Sequence, residues 1–410
     1  MSTQVRRLPR WSEVKGLLSL RAPKVGAAAR LARAGAIDDL RTIARRHIPR
    51  SVFDYVDGAA EDEITLARNR AAFREIEFHP SVLRDVSRVD LTTTLLGRPA
   101  AMPLGLAPTG FTRMMHHQGE PAVARAAHKA GLVYTLSTLG TTAAPALAAA
   151  APDGINWFQL YLPRDRGFGA DLITAAENAH FAALVLTVDT AVAGIRHRDR
   201  RNGLSFPPAL TLRTLAGMAR HPRWWYNVLT TEPLAFASLE GASGDGSMAQ
   251  LLDQVWDPAL SLDDLTWVRS KWSGPLVVKG IQTVADAKLV IGCGADAVTL
   301  SNHGGRQLDR TVTPLRLLPS VIEQTDGTAE IYIDGGISNG ADVIAAVALG
   351  ARAGFVGRAY LYGLMAGGEP GVERAIEILG SQMQRTMQLL GVRNLAELNT
   401  GHVGFAAAGV

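Results

Sequence analysis

The chain has 410 residues, of which 47% are apolar and 20% are charged, a composition that excludes an intrinsically disordered protein. Cys293 is the only cysteine, which excludes an internal disulfide. No apolar run approaches the roughly 18 to 20 residues that span a bilayer, and residues 1–30 lack the apolar core of a secretory signal. A cytoplasmic location is therefore predicted.

The formal net charge of +4 is unevenly distributed. Residues 1–50 contain ten Arg and two Lys against one Glu and two Asp, a sum of +9, so the other 360 residues sum to −5. We expect a basic N-terminal arm (1–36), a main domain (37–402) and a C-terminal tail (403–410). Two interpretations of the arm stay open: packing in a homo-oligomer, or peripheral contact with the anionic cytoplasmic membrane. Nucleic acid is not an expected partner, because the arm lacks a binding motif.

Residues 37–56 repeat apolar side chains at helical spacing, which predicts one or two helices before the main fold. From residue 103 onward, eight short apolar runs recur, and helical stretches such as 119–131 and 340–351 separate most of them. The runs cover 103–108, 133–138, 156–162, 183–189, 275–280, 296–302, 330–336 and 353–358. Runs that are apolar throughout suit strands buried on both faces of a parallel sheet. The expected α/β fold is a (β/α)8 TIM barrel. An open doubly wound sheet is the alternative, although no GxGxxG follows the first strand.

A long insertion, residues 190–262, follows the fourth predicted strand. Loops of this length are usually functional or disordered. Trp224, Trp225 and Tyr226 lie there beside Arg220 and Arg223. These aromatic side chains either dip into a membrane interface or pack as a small core under the insertion, and both interpretations stay open.

The active site of such a barrel forms at the C-terminal ends of the strands. Nearly every predicted strand ends in a polar or ionisable side chain: Thr109, Ser137, Gln159, Tyr161, Thr187, Asp189, Lys279, His303, Arg306, Asp334 and Arg358. Turn capping explains one or two of these, but not a Lys, a His, an Asp and a Tyr on one rim. We therefore expect a catalytic site on this rim, without a metal.

Two features of the strand ends suit a flavin. DGG at 334–336 and VGR at 356–358 close strands seven and eight, where barrels often bind phosphate. Polar groups suited to the edge of a flat heterocycle end the first four strands: Thr109, Ser137, Gln159 and Thr187. Lys279 suits a ring that gains negative charge on reduction. Together these groups predict FMN lying across the barrel mouth.

Substrate groups follow from the remaining residues. His303, in VTLSNHGGRQLD, is the candidate base, and Asp189 is available to fix its tautomer. Two arginines would bind a substrate carboxylate and two tyrosines would hydrogen-bond the same substrate: Arg306, Arg196, Tyr55 and Tyr161.

Six motifs lie at the predicted strand ends: FQLY, LTVD, VVKG, SNHGGRQLD, DGG and GR. In this order they resemble the FMN-dependent L-2-hydroxy-acid oxidases and dehydrogenases, and the resemblance covers about 37–402. APTGFTRMMH and HPRWWYNVLTTEPLAFASL are most similar to bacterial respiratory L-lactate dehydrogenases, particularly actinobacterial ones. The resemblance implies oxidation of an L-2-hydroxy acid, with L-lactate to pyruvate as the leading case, and a tetramer. Flavin N5 would accept two electrons, which pass to a quinone or other respiratory acceptor.

The resemblance also implies roles for individual residues. His303 would be the base, paired with Asp189, and Tyr161 would face the substrate hydroxyl. Gly110 and Leu139 would face the substrate side chain. The implied carboxylate ligands are Arg306, Arg196 and Tyr55. The implied flavin contacts are Thr109, Gly110, Ser137, Gln159, Thr187, Lys279, Ser301, Asp334, Gly335, Gly336, Gly357 and Arg358.

The sequence departs from the family pattern after DGG. Many members carry an arginine there for the FMN phosphate, whereas this chain has Ser338 and Asn339. We therefore predict that Arg358 and backbone amides carry more of the phosphate binding.

Three alternatives stay open. Gly110 has no side chain to close the pocket, so a larger 2-hydroxy acid such as mandelate is the second candidate substrate. An oxidase that uses oxygen is the second candidate for the acceptor. A non-redox flavin-binding barrel is the third alternative, although mere binding needs no base with an orienting carboxylate. The choice between hydride and carbanion mechanisms also stays open.

Overall fold

The structure, a computed structural model, describes residues 7–15, 26–203, 219–239 and 256–406. At its centre, eight parallel strands form a closed barrel. The strands are β1 (Leu104–Leu106), β2 (Val133–Ser137), β3 (Ile155–Leu160), β4 (Ala183–Thr187), β5 (Leu276–Ile281), β6 (Ala297–Leu300), β7 (Glu330–Asp334) and β8 (Ala353–Val356). Each strand pairs with the next, and β8 pairs with β1 to close the barrel. The predicted (β/α)8 TIM barrel is confirmed, and the open-sheet alternative is wrong.

Helices surround the barrel and follow the strands in alternation. The helices that follow β1 to β8 are Gly119–Lys129, Ala144–Ala150, Arg166–Asn178, Leu262–Lys271, Val284–Gly292, Pro314–Thr325, Gly340–Ala348 and Arg358–Gly367, the last continued by Glu369–Leu390. A short helix, Thr112–Met115, lies in the loop after β1. The strands are buried almost throughout, because helices cover the outside and side chains fill the inside.

An N-terminal layer precedes the barrel. It contains the helices Ala27–Arg33, Ile37–His47, Arg50–Asp57 and Ile64–Arg74, after a short helix Trp11–Lys15. Arg374 donates two hydrogen bonds to the Ala34 carbonyl, and Leu31 is buried. The end of the expected arm therefore packs on the main domain.

Two small antiparallel sheets complete the fold. Ile76–Phe78 pairs with Val403–Phe405, and Thr93–Leu95 pairs with Arg98–Ala100. The boundary expected at residue 402 therefore falls beside a folded strand. The sequence does not distinguish this strand from a tail, because the apolar run VGF has only three residues and its partner strand lies more than 300 residues earlier.

The described part of the insertion contains the helices His197–Asn202 and Pro222–Leu229. The Trp224 indole N–H donates to the Met114 carbonyl (3.0 Å), and its ring packs edge-on against Trp225 at 4.7 Å. Tyr226 is 69% exposed. The aromatic cluster is thus divided, with two side chains packed inward and one facing solvent. Within the described ranges, no helix is long and apolar enough to cross a membrane.

Candidate active site

The C-terminal ends of the strands surround a cavity of about 340 Å³, which we call the rim cavity. The predicted site residues that line it are Tyr55, Thr109, Gly110, Ser137, Leu139, Tyr161, Arg196, Lys279, His303, Arg306, Asp334, Gly335, Gly336, Gly357 and Arg358. The other four lie next to lining residues. Asp189 bonds to His303, Gln159 to Ser137 and Ser301 to Lys279, while Thr187 pairs in register with Lys279.

His303 and Asp189 form a hydrogen-bonded pair. The His303 Nδ1 lies 3.0 and 3.2 Å from the two Asp189 carboxylate oxygens. Burial would raise the pKa of Asp189, but the His303 interactions and the Lys279 charge outweigh it, so the pKa lies below its usual value. An ionised carboxylate can only accept, so Nδ1 carries a proton, and the lone pair of the neutral imidazole is then on Nε2. His303 can therefore act as a base through Nε2.

The backbone holds His303 in an uncommon conformation. His303 begins a short 3₁₀ turn, His303–Gly305, with a φ of 57°, and Asn302 caps this turn by accepting from the Gly305 N–H. A non-glycine residue pays for a left-handed conformation unless its surroundings fix it. Here the Ser301 hydroxyl accepts from the His303 N–H (3.0 Å), which fixes the turn from the other side.

Two arginines surround the ring of Tyr55. The Arg306 guanidinium lies 4.9 Å and that of Arg196 5.5 Å from the ring centroid. Arg306 also donates to the carbonyls of Tyr55 (2.6 Å) and Gly58 (3.3 Å) at the end of helix Arg50–Asp57. Burial and the nearby Arg196 charge lower the pKa of Arg306 to about 10. A bound anion would reduce the electrostatic repulsion between the two guanidinium groups, so this part of the cavity suits a carboxylate.

Lys279 is buried beside two partners. Its ammonium donates to the Ser301 hydroxyl (2.9 Å) and lies 3.2 Å from an Asp334 carboxylate oxygen. Burial acts to lower the pKa of Lys279, but the charges of Asp334 and Asp189 outweigh it and raise the pKa above its usual value. Lys279 therefore presents a positive charge to the rim cavity at neutral pH.

Three buried polar atoms at this end of the barrel have no hydrogen-bond partner among the described residues. They are the Gln159 amide nitrogen, the Thr187 hydroxyl and one Asp334 carboxylate oxygen. Ser137 donates to the Gln159 side-chain oxygen (2.9 Å), which fixes the amide orientation. Leaving such atoms unpaired costs roughly 1–3 kcal/mol each. A flat heterocycle with donors and acceptors on its edge would satisfy them, so these residues fit a flavin ring.

The end of β1 is closely packed. The Thr109 hydroxyl bonds to the Tyr360 hydroxyl at 2.6 Å. A Cβ on Gly110 would lie 3.1 Å from the Leu139 Cβ and 3.2 Å from the Leu139 carbonyl oxygen. Gly110 is therefore held close to Leu139, and both residues line the rim cavity.

Tyr161 lies against the insertion. Its ring packs edge-on against Trp256 at 4.9 Å, and burial together with the Asp189 charge raises the pKa of its hydroxyl. Tyr161 therefore stays protonated and can donate a hydrogen bond. Phe236, also from the insertion, packs edge-on against Phe111 at 4.2 Å and lines the same cavity.

Arg358 contacts three backbone carbonyls. Its guanidinium donates to Val56 (2.9 Å), Gly58 (2.8 Å) and Gly304 (3.0 Å). Carbonyls at the end of a helix carry partial negative charge and lack intrahelical partners, so the arginine links helix Arg50–Asp57 to the turn after β6. Arg358 is therefore a structural link as well as a predicted phosphate ligand.

Several residues at the site were not identified from the sequence. Asn69 and Asn302 exchange two amide hydrogen bonds (2.8 and 2.9 Å), which dock helix Ile64–Arg74 beside Gly335 and Gly336. No sequence signal joins two asparagines 233 residues apart. Gly280 approaches Asp189 closely, and its place directly after Lys279 was the available signal.

Three comparisons with known proteins agree. The family model described as FMN-dependent dehydrogenase matches residues 44–404. A putative L-lactate dehydrogenase of Mycobacterium tuberculosis (strain ATCC 25618 / H37Rv) is 54% identical over 399 residues, 97% of this chain and 96% of the relative. An L-lactate dehydrogenase of Caulobacter vibrioides (strain NA1000 / CB15N) is 42% identical over 366 residues, 88% and 95% of the two chains.

Among solved structures, that of the monotopic membrane protein (S)-mandelate dehydrogenase superposes with a TM-score of 0.86 at 36% identity, over 91% of this chain and all of the other. The family model and the relatives match nearly the whole length of the chain, and these matches assign it to a family. It belongs to the FMN-dependent dehydrogenases and oxidises 2-hydroxy acids with FMN as its cofactor.

Proposed function

We propose that the protein oxidises L-lactate to pyruvate and passes the electrons to a quinone or another respiratory acceptor. The observation that carries the proposal is that the His303–Asp189 pair and the Arg306–Arg196 pair face one cavity. A base and a carboxylate site in one place suit a small 2-hydroxy acid, whose carboxylate lies one carbon away from the reacting C–H and O–H groups.

His303 takes the substrate proton on Nε2. The imidazolium that results is stabilised by the Asp189 carboxylate 3.0 Å from Nδ1, and burial of that carboxylate strengthens the attraction. A base positioned in this way contributes about 10²–10⁴-fold to the rate. Tyr161, which remains protonated, donates a hydrogen bond to the substrate oxygen.

Arg306 and Arg196 bind the substrate carboxylate, and Tyr55 between them contributes a further contact. The Arg306 side chain is fixed by the Tyr55 and Gly58 carbonyls, and Arg196 by an ion pair with Asp199 at 2.7 Å. Because both guanidinium groups are held before substrate arrives, little conformational freedom is lost on binding. These contacts orient the α-carbon toward the ring site.

The FMN ring would be held by Gln159, Thr187, Ser137, Thr109 and Lys279, and its phosphate by the glycine turns after β7 and β8. When bound, FMN supplies the acceptor for two electrons from the substrate. Lys279, kept charged by Asp334 and Asp189, would place a positive charge beside a ring that accepts electrons. The orphaned Gln159 and Thr187 atoms support this placement of the ring.

L-Lactate is favoured as the substrate because relatives at 54% and 42% identity are named L-lactate dehydrogenases. Phe236 and Trp256 from the insertion also line the cavity, and their bulk favours a small substrate side chain. The likeness to (S)-mandelate dehydrogenase at a TM-score of 0.86 keeps mandelate as the second candidate.

A quinone acceptor calls for contact with a membrane surface. Tyr226 and Leu229 on helix Pro222–Leu229 are 69% and 70% exposed, and that solved relative is described as monotopic. These observations support peripheral attachment to the cytoplasmic membrane through the insertion. The tetramer remains a prediction from the family resemblance, and the cytoplasmic location remains a prediction from the sequence.

Anaerobic mixing of the purified protein with L-lactate tests the proposal, because substrate oxidation bleaches the flavin. A panel that includes (S)-mandelate and glycolate ranks the substrates, and reoxidation by oxygen or a quinone analogue ranks the acceptors. His303→Gln should keep the flavin and slow its reduction about 10²–10⁴-fold. His128→Gln, an exposed histidine outside the rim cavity, is the control. Bound flavin that no 2-hydroxy acid reduces would contradict the proposal.

A further inference from the structure

The turn after β7 offers little positive charge to a phosphate. Ser338 and Asn339 occupy the positions after Asp334, Gly335 and Gly336. The backbone N–H groups of Ser338 and Asn339 donate to the Asp342 carboxylate (2.8 and 2.9 Å). Those two amides are therefore engaged within their own turn and face an acidic group.

Arg358 is also engaged. Three of its N–H groups donate to the carbonyls of Val56, Gly58 and Gly304, and the residue is half-buried. A phosphate carries close to two negative charges near pH 7. One guanidinium that already donates to three carbonyls leaves much of that charge without a counter-ion.

Two further arginines line the same end of the rim cavity. Arg70 and Arg74 lie on helix Ile64–Arg74, together with Gly335, Gly336 and Ser338 in the cavity wall. Residues four apart share one face of a helix, so both side chains point the same way. Within the described residues, neither arginine makes a hydrogen bond or an ion pair, whereas Arg41, Arg196 and Arg198 nearby all pair with carboxylates.

The helix that carries these arginines is held firmly at this place. The Asp309 carboxylate accepts from the Ile64 and Thr65 N–H groups at its first turn (3.2 and 2.7 Å). In its middle, Asn69 exchanges two hydrogen bonds with Asn302, and the Asn69 carbonyl is so close to Gly336 that a Cβ there would lie 2.6 Å away. The backbone of Arg70 is therefore held next to the DGG turn.

The charges of both arginines already act on this end of the cavity. Arg70 contributes to the lowered pKa of Arg358, after burial as the main cause. Burial raises the pKa of the Asp342 carboxyl to about 6, and the Arg74 charge opposes that rise. The two side chains are thus near the turns after β7 and β8 without being bound to them.

We propose that Arg70 and Arg74 bind the phosphate of FMN and supply, from the N-terminal layer, the charge that Ser338 does not. This inference rests on the proposed position of the phosphate beside Gly335, Gly336 and Gly357. The planar guanidinium forms paired hydrogen bonds with phosphate oxygens, which suits two unengaged arginines on one helix face. Arg74 is exposed, so its share of the binding should weaken with rising salt.

The test compares FMN with riboflavin, which lacks the phosphate. The full-length chain, freed of flavin, is titrated with each flavin, and binding is followed by quenching of flavin fluorescence. Arg70→Gln and Arg74→Gln should each weaken FMN binding by on the order of tenfold, with riboflavin binding unchanged. Arg74→Lys, which keeps the charge, should recover part of the affinity.

Arg68→Gln is the matched control. Arg68 lies on the same helix, is exposed and does not line the cavity, so the affinity for both flavins should stay at the wild-type value. Equal loss of FMN and riboflavin affinity in the Arg70 and Arg74 variants, or no loss of either, would overturn the proposal. Neither outcome depends on lactate oxidation, because a wild-type protein that binds FMN but is not reduced by L-lactate contradicts only the proposed function.

Discussion

Gly280 lies so close to Asp189 that a Cβ at position 280 would be 2.7 Å from the Asp189 Cβ. Gly280 also has a φ of +107°, which side chains rarely adopt. The residue after Lys279 is therefore glycine because the carboxylate that orients His303 needs this space. Any side chain at position 280 would move Asp189 and with it the imidazole.

Gly280→Ala should lower kcat by about 100-fold, because a displacement of about 1 Å in a catalytic group has an effect of that size. The measurement is kcat per bound flavin, so that loss of cofactor is not counted as loss of catalysis. Gly292→Ala serves as the control, since nothing lies within 4 Å of a Cβ added there. Wild-type kcat in Gly280→Ala would show that the position of Asp189 does not limit catalysis.

Thr187→Val should have opposite effects on stability and on flavin binding. The Thr187 hydroxyl has no partner among the described residues, so its removal should stabilise the flavin-free chain by about 1 kcal/mol. If the hydroxyl bonds to the flavin ring, FMN and riboflavin should both bind about tenfold more weakly. Urea unfolding and flavin titration measure the two effects.

Thr135→Val provides the comparison. Thr135 also has a buried, unpartnered hydroxyl, but it lies in the middle of β2 and not at the C-terminal end of a strand. The same gain in stability is expected there, with unchanged flavin affinity. A loss of flavin affinity in both variants would indicate a general change of the barrel.

Arg358→Ala should affect folding and cofactor binding separately. Loss of three carbonyl contacts should destabilise the flavin-free chain by on the order of 3 kcal/mol. FMN affinity should fall as well if the guanidinium also contacts the phosphate, and unchanged affinity counts against that role. Arg352→Ala, an exposed arginine before β8, should change neither quantity.

Asp57 should make the free energy of unfolding depend on pH in the acidic range. Burial would raise its pKa, but hydrogen bonds from Arg41, Tyr362 and Arg198 lower it to about 2. The pKa of an Asp in an unfolded chain is about 3.9. The contribution of Asp57 is therefore complete above about pH 4 and is lost as the pH falls toward 2.

The free energy of unfolding of the wild type and of Asp57→Asn should therefore differ more at pH 6 than at pH 3. Denaturant titrations at the two pH values measure this difference. Asp153→Asn, an exposed residue, should show no difference at either pH. A difference for Asp57→Asn that does not shrink on acidification would mean that its carboxylate is not the group that titrates.

The barrel could be predicted from sequence because its signal is local. Each strand is a continuous apolar run that ends in a polar residue, and the eight observed strands begin and end within one or two residues of those runs. The strand ends also located His303, Lys279 and Asp189, because the C-terminal ends of parallel strands share one rim.

What the sequence did not reveal depends on contacts between distant segments. The Asn69–Asn302 pair, the three carbonyls held by Arg358 and the place of Arg70 in the cavity wall arise only when the N-terminal layer packs on the rim. In each case the neighbouring residues in the sequence form no motif that indicates the contact. Its role follows from a partner 50 to 300 residues away.

The pairing of Ile76–Phe78 with Val403–Phe405 has a consequence for biosynthesis. The ribosome makes the second strand only after all eight barrel strands, so the early strand waits without its partner while the barrel is translated. During that time its unpaired edge can join the edge of another nascent chain. The order of translation thus makes this small sheet one of the last parts of the fold to form.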